Sequence, residues 1–318
     1  MSKNFGLSRA AMIVTLGIIL VLLSVYVPML GILALAIPVP YAIIGTLFER
    51  KYAFLSLIIT FFVVMFTVDP IYSTSTCIMS IIPGLIIGNL AKHNINNENS
   101  NKFEPIYGGT IAFVICTIAF YVFAQVIFKI NIIDEFTNLI SSSFNDQVKM
   151  MQEMNIDLYK NINMEDFLIL AKNMIPTMLF LKGLIAAFIT YYLEVFMLKR
   201  TKMLNLAKPT FKDFYLPGNA VGTSFALYLI VLLLGFMNIG LYTDSIMFNL
   251  QMVFNFMFIV QGIAVSIYYI KKWLKQGTGK NILVSGLLIG IFGTMGISLI
   301  GMLDSIIDFR RVRSYKST

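Results

Sequence analysis

The chain has 318 residues, of which 58% are hydrophobic and only 13% charged, and its mean hydropathy is +0.82. A typical soluble domain carries roughly 25% charged residues, so a water-soluble fold is excluded. The net charge of +8 does not imply a nucleic-acid partner, because the basic residues sit in short loops between apolar runs, where membrane topology accounts for them.

Apolar stretches long enough to cross ~30 Å of hydrocarbon at about 1.5 Å per helical residue recur at 10–27, 29–48, 52–68, 74–91, 106–128, 173–198, 219–237, 246–270 and 282–303. The pattern predicts an all-α, polytopic transmembrane helical bundle of eight or nine spans. Lys3 and Arg9 precede the first run, which is too long for a signal-peptide core and has no small-residue cleavage site, so it reads as an uncleaved span. Pro28, Pro38, Pro40, Pro70, Pro83 and Pro176 fall at or inside spans and predict broken or tilted helices. Cys77 and Cys116 lie in apolar stretches without a CxxC or Cys/His partner and read as small buried side chains.

The segment 129–172 is polar overall but periodic. Ile133, Phe136, Ile140, Phe144, Val148 and Met151 recur every three or four residues, which predicts an amphipathic helix lying on the membrane or capping the bundle. A second helix is expected to start at Asn163 as N-cap, with Glu165 and Asp166 in its first turn, and to run into the sixth span.

Orientation follows from the basic residues. With the N-terminus in the cytoplasm, the dense groups Lys199, Arg200, Lys202, Lys208, Lys212 and Lys271, Lys272, Lys275, Lys280 all fall inside, and the lysines left outside lie in the acidic loop 129–172. Nine spans would nevertheless put Arg310, Arg311, Arg313 and Lys316 outside, against the same rule. The glycines of 282–303 permit either close packing of an ordinary span or a re-entrant hairpin turning near Gly293 to Gly296.

Lys182 is the sharpest polar signal, ten residues past Lys172 and about 15 Å deep at 1.5 Å per residue. A lysine there costs roughly 2.5–3.5 kcal/mol on insertion scales, so it is expected in a polar hollow inside the bundle, as a binding residue or as a structural tie to a carbonyl or to Gln125. Gln251 and Asn255 are four apart on one helical face, suited to lining a cavity or to bonding helix to helix. Asn249 and Gln261 lie on other faces, and Glu194, near a cytoplasmic helix end, reads as solvated. Gly84 and Gly88 form a GxxxG packing pair after Pro83. The single histidine, His93, and the lack of HExxH, GxSxG and Walker patterns argue against an enzyme, a metal centre or a bound cofactor.

Three short motifs carry a family resemblance: Pro83-Gly84 with Gly88, Phe214-Tyr215-Leu216-Pro217, and Gly301-Met302-Leu303-Asp304 followed by Asp308-Phe309-Arg310. Over nearly its full length the chain resembles the YybS family of bacterial membrane proteins, a likeness that brings no activity with it. The first six spans also resemble the substrate-binding (S) component of energy-coupling factor transporters. That second resemblance implies docking of a coupling subunit through small residues on the first helix, for which Ala11 and Thr15 are the nearest match, although paired alanines are absent and three C-terminal helices are additional.

The expected organisation is a six-helix membrane domain over 1–198 and C-terminal helices with a basic tail over 199–318. The expected function is a small-solute-binding transport component of a bacterial plasma membrane, with no ATPase of its own. Lys182, Gln125, Gln251 and Asn255 would bind substrate; the partners would be the lipid bilayer and an energy-coupling ATPase module or other membrane proteins. The alternative is a non-transport scaffold that assembles other membrane proteins through its outer loop and basic cytoplasmic loops.

Overall fold

A computed structural model describes residues 3–96, 101–154, 164–204, 209–217, 219–237, 242–274 and 280–312. The chain divides at Lys208 and Pro209 into two compact units, within the basic loop that follows the sixth span.

The first unit holds α1 (Lys3–Tyr26), α2 (Pro38–Leu47), α3 (Arg50–Thr67), α4 (Pro70–Thr76), α5 (Ile82–Asn96), α6 (Glu104–Phe123), α7 (Ile132–Glu153), α8 (Met164–Asn173) and α9 (Ile175–Arg200). Its centre is α2, which packs on α1, α3, α5 and α9 and buries nearly every residue. The second span is broken, as its prolines lead one to expect: Pro28–Ala36 is a 3-10 segment with no buried residue, and only the stretch from Pro38 is an α-helix. Two prolines at the start of α2 cost no helical hydrogen bond, because the first N–H groups of a helix have no internal partner.

Small residues set the distances around α2. A Cβ on Gly88 would stand 1.9 Å from the Ala42 carbonyl oxygen, one on Gly84 2.4 Å from that of Pro38, and one on Gly45 2.6 Å from that of Leu85. The α2–α5 contact is thus backbone against backbone, as the GxxxG pair leads one to expect. On the other side the Tyr41 ring lies against Gly17 of α1, and its hydroxyl is 2.8 Å from Thr60 Oγ1 of α3. Between α4 and α5 a π-helical turn, Cys77–Ile81, comes directly before Pro83, whose missing N–H and ring cannot continue an α-helical ladder.

The amphipathic helix α7 forms where expected. The Asn131 side chain accepts hydrogen bonds from the N–H groups of Ile133 and Asp134, and Asp134 and Glu135 occupy the positive first turn. None of its residues is buried; its apolar stripe meets α8 through the stacked rings of Phe144 and Phe167. The expected N-cap Asn163 lies outside the described residues.

The second unit holds α10 (Ala220–Phe236), α11 (Thr243–Leu274) and α12 (Lys280–Ile307). Here α11 and α12 run antiparallel in close contact: a Cβ on Gly262 would meet the Ile297 carbonyl oxygen at 2.0 Å, and one on Gly301 that of Phe258 at 1.9 Å. Within α12 the helical backbone is interrupted at Gly293 (φ 67°, ψ 170°), a conformation open to glycine and costly for other residues. For 282–303 the sequence permits an ordinary span or a turn near Gly293; the helix is interrupted at Gly293. Among the described residues, seven segments are long and apolar enough to cross a membrane; α10, at 17 residues, and the stretch Gly293–Ile307 are shorter apolar helices. The chain is an all-α, polytopic membrane protein.

Replacing Gly88 by Ala forces α2 and α5 apart. Overpacking of this kind costs about 1–3 kcal/mol, so Gly88→Ala lowers the unfolding temperature in detergent clearly. Gly31→Ala, where nothing lies within 4 Å, is the control and stays within about 1 kcal/mol of the parent.

Candidate functional site

Three polar constellations stand out, two in the first unit and one in the second. The first contains Lys182. Between α6, α9 and the start of α7 lies a cleft of about 500 Å³ whose walls include Met79, Phe120, Tyr121, Phe136, Leu179 and Lys182. Apart from Lys182, only Thr117 and Tyr121 bring polar groups to the lining. The expected polar hollow is thus a mainly apolar cleft, and Lys182 is exposed rather than enclosed. Its ammonium forms no hydrogen bond or ion pair with the described residues, so the expected tie to Gln125 or to a carbonyl is not made. Gln125 belongs to the π-helical turn Ala124–Phe128 that ends the fifth span; it is exposed and does not line the cleft.

Gln251 and Asn255 belong to the second unit, the former exposed and the latter half-buried. Ala11 and Thr15 are both exposed on α1, with the Thr15 hydroxyl donating to the Ala11 carbonyl at 3.0 Å. Their outward position leaves room for a helix to dock against them.

The second constellation contains a residue that periodicity alone misplaces. Glu194, expected on a solvated helix end, is 0% exposed and is held against Thr46 of α2. The reason is tertiary: α9 packs on α2, α5 and α6 along this stretch, burying Tyr191, Glu194, Val195 and Leu198 together. Six residues before the end of a helix is near its tip in sequence, yet this face of the helix lies inside the bundle while Lys199 and Arg200 at the tip are exposed.

The third constellation unites two of the motifs noted in the sequence. Arg310 donates from Nη2 to Asp304 Oδ2 at 2.8 Å, and the pair is shielded from solvent. The same guanidinium donates to the carbonyl oxygens of Lys212 at 2.5 Å and Phe214 at 2.7 Å. Gln261, set aside in the sequence reading, completes the network: its Nε2 donates to Asp304 Oδ2 at 2.8 Å, and its Oε1 accepts from the Leu216 N–H at 3.1 Å. Each partner answers a requirement of the others, since a buried ion pair is tolerated only when its remaining donors and acceptors are bonded. Arg310 also bears on topology. Three full crossings by α10, α11 and α12 would carry it to the side opposite segment 209–217, yet it is bonded to the backbone of that segment.

Among the described residues no group of three or more His, Cys, Asp or Glu side chains stands together as a metal site. Cys77 and Cys116 are buried free thiols.

Removing one member of the buried pair leaves the other charge without its counterpart, at about 3–5 kcal/mol. Arg310→Met is expected to be more destabilising, by thermal unfolding of the purified protein, than the double change Arg310→Met with Asp304→Leu. A single variant milder than the double one would show that the charges do not depend on each other.

Comparison with known proteins follows the same motifs. The chain is 26% identical over 314 residues, 96% of its length and 97% of the relative's, to the "Uncharacterized protein YybS" of Bacillus subtilis (strain 168). No solved structure matches the chain. The family described as "Predicted membrane protein (DUF2232)" matches residues 15–305, a range that begins within the first span and extends past Asp304. This chain is a member of that membrane-protein family.

Proposed function

We propose that the protein is a small-solute-binding transport component of a bacterial plasma membrane, with its N-terminus in the cytoplasm and no ATPase of its own. The observation that supports this is Lys182: an unpartnered ammonium at a mainly apolar cleft of about 500 Å³. Clefts of roughly 300–1,000 Å³ with a few polar groups are the usual dimensions of small-molecule sites. A cation against aromatic and aliphatic walls selects an amphipathic anion, with an apolar body against Phe120 and Phe136 and a carboxylate or similar group at Lys182. Without its own energy source, net transport would require a partner module. The exposed Ala11 and Thr15 on α1 suit such docking, in keeping with the likeness to S components.

A second reading, a scaffold acting through the outer segment, is favoured by α7, whose 22 residues include no buried one, so that part of its apolar stripe stays open to lipid or another protein beside the contact of Phe144 with α8.

The two readings separate cleanly. In lipid nanodiscs, a panel of aromatic and medium-chain carboxylates is expected to include a binder whose affinity falls at least about tenfold in Lys182→Met, the loss of one charge-assisted contact. Co-purification with an ATPase module is expected to require Ala11 and Thr15. Absence of any binder and of any ATPase, together with cellular function that survives Lys182→Met but not deletion within 131–165, would favour the scaffold.

A further inference from the structure

The Glu194 site is unrelated to the Lys182 cleft and lacks something that the Asp304 network has. Glu194 Oε1 is hydrogen-bonded to Thr46 Oγ1, and that hydroxyl is also 2.9 Å from the Gly88 carbonyl oxygen and 3.1 Å from that of Ala42. A threonine hydroxyl has one hydrogen to donate, so three acceptors compete for a single proton. The other carboxyl oxygen, Oε2, is buried with no hydrogen-bond partner among the described residues. Thr190, one helical turn earlier on the same face of α9, is also fully buried, and its Oγ1 likewise has no partner. Oxygens thus converge from α2, α5 and α9 with too few hydrogens among them.

No Lys, Arg or His nitrogen among the described residues lies within ion-pair distance of Glu194. The elements packed on this stretch of α9 offer little else. On α2 the titratable group is Tyr41, which is bonded to Thr60. On α5, Lys92 donates to the Phe48 carbonyl and His93 faces Glu104 of α6; α6 adds Tyr107, Cys116 and Tyr121. The 3-10 segment has no titratable side chain, and α9 itself contributes Tyr191 and Tyr192 beside Glu194, with Lys182, Lys199 and Arg200 exposed farther along it. An isolated buried carboxylate is among the costliest groups a protein can contain, and within a membrane such a group marks an ion or proton pathway by default.

We propose that Glu194, Thr46 and Thr190, with the Gly88 carbonyl, form a buried site for one monovalent cation, a proton or a sodium ion. A single positive charge neutralises the carboxylate, whereas a divalent ion would leave an excess charge in the same surroundings. A proton on Glu194 lets the carboxyl donate to Thr46 Oγ1 while Thr46 donates to the Gly88 carbonyl, which resolves the shortage of hydrogens. Sodium instead takes the oxygens as ligands, the all-oxygen set that hard cations prefer. An open cleft of about 420 Å³ has among its walls Gly45 and Asn89, the chain neighbours of Thr46 and Gly88.

The test uses the full-length protein in detergent at constant ionic strength, with choline replacing sodium, and follows two readouts. Thermal unfolding is compared between the parent and Glu194→Gln. Modification of Glu194 by a hydrophobic carbodiimide, read by mass spectrometry on the parent alone, keeps the test valid if Glu194→Gln fails to fold. A sodium site predicts a rise in unfolding temperature on the order of 2–8 °C with sodium, absent in Glu194→Gln, and protection from the carbodiimide by sodium. A proton site predicts no sodium effect, a parent that gains stability relative to Glu194→Gln as pH falls, and carbodiimide labelling that declines as pH rises. A parent whose stability and labelling respond to neither sodium nor pH would overturn the proposal.

Discussion

Lipid offers no hydrogen bonds, so every polar atom drawn into the bundle has to be answered from within the protein. Close approach of helix backbones makes such answers possible here. Gly45, Gly84 and Gly88 let α5 lie directly on α2, and Gly262 and Gly301 do the same for α12 on α11. At these distances a hydroxyl or amide on one helix reaches a carbonyl or carboxylate on the next. Thr46 thereby reaches both Gly88 and Glu194, and Gln261 reaches Asp304. The glycines are thus the precondition for the polar interior as well as for packing.

The two buried carboxylates resolve the same difficulty differently. Asp304 is met by a guanidinium and an amide, and those partners are in turn bonded to the backbone of Lys212, Phe214 and Leu216. A network with its members satisfied has a structural role, holding the chain before α10 and the chain after α12 together. Glu194 is met by one hydroxyl, and the remaining oxygens around it stay without donors. An incomplete set of this kind is the arrangement expected where a mobile charge enters and leaves.

Much of the architecture was legible in the sequence because membrane spans and amphipathic helices write themselves as runs and periods. The amphipathic helix α7 and the glycine pair of α5 followed from spacing alone. The prolines announced a break in the second span but not its form, since a run of apolar residues says nothing about whether the backbone will be α-helical or 3-10 over 28–36. Polar residues were harder still. Glu194 and Gln261 were discounted on helix position and face, yet both are buried, because which face is interior depends on neighbours far away in the chain: α2 for Glu194 and α12 for Gln261. The cleft at Lys182 is more apolar and more open than a lysine alone suggests.

The account depends on Glu194 being inside the bundle despite its place near a helix end. Accessibility of a thiol there measures this most directly. In a background carrying Cys77→Ala and Cys116→Ala, Glu194→Cys is compared with Lys199→Cys by reaction with a membrane-impermeant maleimide in inverted vesicles. The account predicts prompt modification at 199 and, at 194, modification only after denaturation. Equal rates at the two positions would place residue 194 in water and contradict it.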